Sequence, residues 1–306
     1  MLRLYTLCFV YFICAQVLAA EPVLSVQNVA EGVYVHFGLQ QALNKKNHGE
    51  IANIGFIIGK RCVAVIDSGG NPQQGQALKR AIKKITPLPV CYVINTHVHP
   101  DHIYGNSAFK QDGVIFVGHY KLARAMAMRK AFYLGRAKQQ MGIDLSAADI
   151  IPPDLRIRQT RKLDLGGRVI ELTAHPTAHT DNDLSVYDVQ TDTWWLSDLL
   201  FVGHLPVIDG SINGWIKELE RLQKRKVKRV IPGHGPLVTN WPNGMQPELH
   251  YLKMLRTEIR AALKQGKDIK EAMQTVGLSA KSRWKLFGQF NKKNISTAYA
   301  ELEWED

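Results

Sequence analysis

Six residues, His97-Val98-His99-Pro100-Asp101-His102, constrain this chain more than any other stretch, because three imidazoles and a carboxylate follow directly on the apolar run Cys91 to Ile94. An extended backbone places side chains two apart on the same side, so His97 and His99 can converge on one ion. Pro100 favours a turn, beyond which Asp101 and His102 are free to reach a second ion. A polar loop of surface histidines is the bland alternative, but so many ligand atoms in so few residues point to metal binding first.

The first 20 residues have the pattern of a secretory signal: Arg3 is a short positive start, Leu4 to Ala15 is apolar, and the small residues Ala19 and Ala20 follow. The apolar stretch is shorter than the roughly 20 residues a membrane helix requires, which predicts export to the periplasm without a stable membrane anchor after signal cleavage. Residues 21–240 then suit a single catalytic domain, and residues 241–306 a C-terminal helical extension. Cys62 and Cys91, the two cysteines left, are too few for a disulfide framework. Each opens an apolar strand, and if those strands are parallel neighbours the two sulfurs lie level. A disulfide and a pair of buried thiols both remain open.

The formal net charge is +12, with basic residues concentrated in Lys217 to Arg229 and Lys281 to Lys293. Their helical spacing explains them as solvated faces. Nucleic-acid binding would need aromatic interleaving or a recognisable reading module, and an exported protein rarely meets that ligand, so no nucleic-acid partner is expected. What the charge does imply is a general attraction to anionic substrates or partners.

Periodicity predicts strands over Val33 to Phe37, Ile51 to Ile58 and Cys62 to Asp67, a helix over Gln73 to Ile85, and a strand over Tyr92 to Asn95 that ends in the histidine motif. A basic helix is expected over His119 to Met141. Strands follow over Val169 to Ala174, Leu184 to Val189 and Trp194 to Leu199, then a helix over Gly214 to Arg225 and a strand over Val227 to Ile231. The C-terminal part reads as three helices, Pro247 to Gln265, Ile269 to Val276 and Ser279 to Asn291. This is an α/β chain whose candidate ligands sit at strand ends, where α/β sheets collect ligands.

Three further groups complete a metal-binding set: His179 in the loop His175 to Thr180, Asp198 at the end of a strand, and His234 in Pro232-Gly233-His234-Gly235. Singly each is weak, since a lone loop histidine is more often a surface residue. His175 competes with His179, but Pro176 excludes a regular helix placing both on one face. Asp67 either fixes an imidazole or simply forms the turn before Ser68-Gly69-Gly70. His48, His119 and His204 receive no metal role.

In this order the residues resemble the metallo-β-lactamase-fold hydrolases, with their His-x-His-x-Asp-His motif, downstream histidine, bridging aspartate and last histidine. More narrowly, HVHPDHIYGN (97–106), TAHTDND (177–183), SDLLF (197–201), PVIDGSINGW (206–215) and YAELEWE (299–305) are similar to the branch called quinoprotein relay system zinc metallohydrolases. The resemblance implies an αβ/βα four-layer sandwich with two zinc ions at its edge. His97, His99 and His179 would hold the first, Asp101, His102 and His234 the second, and Asp198 would bridge them. It further implies a bridging hydroxide that attacks an ester, thioester, lactone or lactam, with Asp101 also acting in catalysis by orienting the nucleophile or moving its proton.

The expected substrate is a small molecule, and the branch name implies association with a quinoprotein dehydrogenase system. Within the superfamily a bridging Asp198 suggests thioesterase-like relatives, whereas many zinc β-lactamases lack a carboxylate there. Two other classes compete: a mononuclear iron oxygenase acting on sulfur compounds, and a basic binding protein with structural metal. Closed four-ligand shells are what structural zinc requires, and the present set is not one.

Overall fold

The computed structural model describes residues 21–111 and 113–305, so the signal segment expected over residues 1–20 lies outside the described residues. Two sheets carry the fold. The first has seven strands in sequential order: β1 (Gln27–Ala30), β2 (Val33–His36), β3 (Ile54–Ile58), β4 (Val63–Ile66), β5 (Val90–Asn95), β6 (Ile115–His119) and β7 (Leu155–Ile157). Pairing is antiparallel as far as β4 and parallel beyond it. The second sheet runs β12 (Arg229–His234), β11 (Thr193–Phe201), β10 (Leu184–Asp188), β9 (Val169–Ala174), β8 (Thr160–Asp164), with only β11 and β12 parallel.

Strand alternation sorts the apolar residues into layers. On β4, Ala64 and Ile66 face the second sheet and pack with Leu172, Val186 and Trp195, while Val63 and Val65 face outward onto Leu78 and Ile82. Those two leucine and isoleucine side chains belong to α1 (Pro72–Ile85), which starts where Asn71 accepts from Gln74 N at 2.7 Å, with Pro72 in its first turn. On the other side, Trp194 and Leu196 of β11 pack against Trp215 and Leu219 of α4 (Ile212–Leu222). Helix, sheet, sheet, helix is the four-layered α/β sandwich.

The short α2 (Pro100–Ile103) carries half of the histidine motif, and α3 (Leu122–Arg136) continues through a π-helical turn over Ala137–Met141. His119 ends strand β6 instead of opening that helix, because Ile115–His119 pairs with β5 on one side and β7 on the other. The helices α5 (Gln246–Lys264), α6 (Ile269–Thr275) and α7 (Phe287–Leu302) share one core with β11 and α4, through Leu252, Ile259, Ile295 and Ala298.

The helix expected over Ser279 to Asn291 is broken. A 3-10 turn covers Leu278–Arg283, Trp284 is extended, and Leu286 takes a left-handed φ of 61° before α7 begins. Tertiary pairing overrides the local pattern: Lys285 N donates to Gly203 O at 3.0 Å, and Leu205 N donates to Lys285 O at 3.0 Å. Cys62 and Cys91 sit at the paired ends of β4 and β5, Cα atoms 5.7 Å apart, and form a disulfide.

Candidate metal centre

Every one of the seven expected ligand residues reaches one spot between the two sheets. His97 and His99 extend β5, Asp101 and His102 ride on α2, His179 lies in the β9–β10 loop, and His234 is the last residue of β12. Asp198 lies within β11 instead of at its end, at a register shift beside Ser197, whose φ is 50°. That irregularity aims the carboxylate out of the strand pattern and into the cluster.

The ligand atoms form two groups, His97, His99, His179 and Asp198 in one and Asp101, His102 and His234 in the other, with all atoms of a group within 4.8 Å of one another. Asp198 reaches both. Its Oδ2 is 3.6 Å from His97 Nε2 and 3.4 Å from His179 Nε2, and on the other side 3.4 Å from His234 Nε2. Its Oδ1 is 3.1 Å from His102 Nε2, while Asp101 Oδ2 stands 3.5 Å from His234 Nε2.

Each imidazole uses its other nitrogen as a fixed donor. His179 Nδ1 donates to Val207 O at 2.7 Å, His234 Nδ1 to Ile51 O at 2.9 Å, and His102 Nδ1 to Asp67 Oδ2 at 2.8 Å. His99 Nε2 donates to Asp209 Oδ2 at 3.0 Å. His97 Nδ1 donates to Thr96 Oγ1 at 3.1 Å, since that hydroxyl gives its own proton to Asp67 at 2.7 Å. The inward nitrogens are therefore the ones left to present lone pairs to a metal. His99 Nδ1 and His179 Nε2 face each other at 3.0 Å, an arrangement of two lone pairs that a cation between them relieves. His97 Nε2, His102 Nε2 and Asp198 Oδ1 are buried without a hydrogen-bond partner, so the donor set fits metal ions and nothing else present satisfies it.

The electrostatics agree. Burial holds His97 well below the usual imidazole value, with His102 pressing the same way, and burial brings His179 down to about 3. Burial would lower His102 too, but the carboxylates of Asp198, Asp67 and Asp101 outweigh it and raise it well above. Asp198 is pulled well below the carboxylate range, because His102, His234 and His97 overcome its desolvation. A carboxylate this surrounded by imidazoles is a site prepared for positive charge.

Two supports were visible in the sequence only as ordinary residues. Asp209, in the PVIDGSINGW segment, also receives Arg129 at 2.8 Å, and Asn53 clamps the Pro-Gly-His-Gly turn by donating from Nδ2 to Pro232 O and Gly235 O, both at 2.8 Å. Gly233 is required there, since a Cβ would strike Asp198 Oδ1. Asp67 is the imidazole-fixing residue, its own φ of 55° held by Thr96 and His102.

His175 lies outside the cluster. Its Nδ1 meets Glu218 Oε1 at 2.5 Å and its Nε2 meets Ser185 Oγ at 2.7 Å, leaving neither nitrogen for a metal. The serine, histidine and glutamate are arranged like a hydrolytic triad, but Ser185 is 1% exposed, so no substrate reaches it. His48 Nδ1 donates to Met141 O at 3.0 Å, and His119 Nδ1 accepts from Lys121 N, so both have structural partners. His204 stacks on His234 with ring centres 5.1 Å apart.

A cavity of about 550 Å³ opens onto Asp101, His99, His179, Asp198 and His234. A larger one, about 730 Å³, is lined by Tyr251, His250 and Trp284 and touches none of the ligands. Fold and site together define a metal-binding α/β sandwich of the hydrolase type, with its ligands gathered at the sheet edges. Residues 49–234 match the metallo-beta-lactamase superfamily, and the chain belongs to it. Among solved structures it is similar to a metallo-beta-lactamase from Pontibacter korlensis, at 24% identity and a TM-score of 0.58 over 75% of this chain and 97% of that one. No curated protein matches the chain.

Proposed function

We propose that this protein is an exported hydrolase that holds two zinc ions and cleaves the acyl bond of a small ester, thioester, lactone or lactam. The observation that carries the reading is Asp198 standing between two histidine-rich groups at the floor of an open cavity. When bound, two zinc ions would lower the pKa of a water between them and polarise a carbonyl. The chain's own residues do the rest. His97, His99 and His179 would bind one ion, Asp101, His102 and His234 the other, and Asp198 would join them. The outer hydrogen bonds to Thr96, Asp67, Asp209, Val207 and Ile51 keep each imidazole in one tautomer. Asp101, exposed to the cavity, orients the attacking water and takes its proton.

Imidazole-dominated coordination with open positions favours zinc over magnesium or calcium. The disulfide between Cys62 and Cys91 supports an oxidising compartment, in line with a signal segment and periplasmic location. Among the described residues no helix is long and apolar enough to cross a membrane. Association with a quinoprotein dehydrogenase system rests on the branch motifs of the sequence.

The test is metal analysis of protein purified without added metal, together with assays on ester, thioester, lactone and lactam panels. About two equivalents of zinc with hydrolysis are expected. One equivalent of iron with oxygen consumption would replace this reading by a sulfur-compound oxygenase, and turnover confined to lactams would make it a β-lactamase. Asp101→Ala should abolish turnover while circular dichroism and melting stay native.

A further inference from the structure

The walls of the cavity above the cluster are unequal in charge. Its carboxylates, Asp101 and Asp198, both belong to the cluster, whereas three cations, Lys45, Arg136 and Lys293, line it from three separate parts of the chain. Among the described residues none of the three has a carboxylate within 4.0 Å; the Arg136 guanidinium donates to the Gln140 amide oxygen at 2.5 Å and lies over the Phe132 ring, 5.8 Å from its centre. Lys45 and Lys293 are exposed and Arg136 half-buried, so the cations stand where an entering anion meets them; the Lys293 ammonium is lowered first by desolvation and further by Arg136 and Arg129, with Asp209 partly offsetting them. The same lining carries the apolar side chains Val207, Phe201 and Phe290, with Phe201 stacked on His234 and Phe290 packed against His204.

We propose that Arg136 and Lys293 form a subsite for a free carboxylate on the substrate, so that the acyl compound hydrolysed at the cluster is an anion and α7 is part of the reaction site. The inference rests on the hydrolase reading and specifies its substrate class. The apolar strip seats the hydrocarbon between the acyl group and the carboxylate, and the planar guanidinium supplies a fork that matches a carboxylate. The cavity is of the size that small-molecule sites have. The loop over residues 206–211, which carries Val207 and Asp209, is bound to the same helix. Asn294 Oδ1 accepts from Ile208 N at 2.9 Å, and Glu301 Oε2 accepts from Ile212 N at 2.8 Å. Lys293 is thereby held in register with the histidines.

A matched pair of probes tests this: the mono-para-nitrophenyl ester of glutarate, which keeps a free carboxylate, and its neutral methyl diester. The zinc-loaded wild type should prefer the anionic ester, with the preference shrinking as sodium chloride is raised. Arg136→Ala and Lys293→Ala should each lower the anionic-to-neutral ratio of kcat/KM by about tenfold or more, chiefly through KM, and Arg136→Lys should recover part of it. Lys217→Ala, on the exposed face of α4, should leave the ratio alone. An unchanged ratio in both cavity variants overturns the proposal. If neither ester is hydrolysed, the hydrolase reading fails by itself, and calorimetric titration of glutarate decides the subsite. Binding lost in the Arg136→Ala, Lys293→Ala double variant retains it, and equal binding in both proteins rejects it.

Discussion

The Asp209 carboxylate touches the cluster through His99, while its backbone N–H donates to His179 O at 3.0 Å, and the carboxylate decides which nitrogen of the His99 ring faces inward. Burial would raise its pKa, but the bond to His99 and the neighbouring Arg129 guanidinium hold it well below the carboxylate range, so it stays a charged acceptor. Losing it frees the ring to rotate or to take the other tautomer, and removal of such a partner costs about 10–100-fold in metal affinity. Asp209→Ala should therefore weaken one of the two bound ions by that factor and leave the other nearly unchanged, read by competitive chelator titration. Equal weakening of both ions, or of neither, would mean that Asp209 does not act on His99 in this way. The PVIDGSINGW segment that holds it carries the family resemblance but assigns this aspartate no role. His97, His99, Asp101 and His102 were legible because six consecutive residues on a strand end share one chemistry, whereas Asp209 is a lone aspartate before a helix, the commonest place for a cap or turn residue.

At the level of elements, the two sheets are joined by more than their apolar faces. Arg168, at the start of β9, forms two hydrogen bonds to Asp188 at the end of β10, at 2.9 and 2.7 Å, and donates across to Ile58 O and Glu31 O in the first sheet, at 2.9 and 2.8 Å. Its guanidinium lies where a side chain on Gly32 would be, and Gly32 has a φ of 65°. Both charges are buried, so removing one leaves the other unpaired at a cost of about 3–5 kcal/mol. An exposed pair such as Lys162 with Glu171 contributes at most about 1 kcal/mol. Arg168→Met should accordingly lower Tm by roughly 10 °C, with Asp188→Leu added to it recovering part of the loss. A melting change of a degree or two in the single variant would refute the account. The sequence showed the strands on either side of this pair, since Val169 to Ala174 and Leu184 to Val189 are apolar runs. It did not show β8, whose Thr160–Asp164 has one buried residue in five, Leu163, and so lacks a pattern. The start of α7 was equally hidden, because a backbone pairing of Lys285 with Gly203 and Leu205, far off in the sequence, sets it.

For the whole molecule, acidity acts in two separate windows. His119 is buried and held down to about 4, first by desolvation and then by Lys121, and His175 is lowered for the same first reason. An unfolded chain binds protons at histidine near 6.5, so between that value and about 4 the unfolded state holds more protons than the native one. Stability is complete above about pH 7 and falls as pH drops through that range. Glu218 acts in the same sense at lower pH. Burial would raise it, but Arg221 and His175 bring it to about 2, so its contribution survives until pH falls below about 4.5 and disappears near 2. Metal release complicates the first window, since protonated histidines no longer bind. A pair of proteins removes that difficulty. Wild type and His119→Gln share the same metal ligands, so both lose metal alike between pH 7 and pH 5, and the difference between them isolates one imidazole. His119 should make the wild type lose about 1–2 kcal/mol more than the variant over that interval in urea unfolding. Parallel losses in the two proteins would show that His119 takes up its proton in the native state as readily as in the unfolded chain, and would remove it from the acid limb.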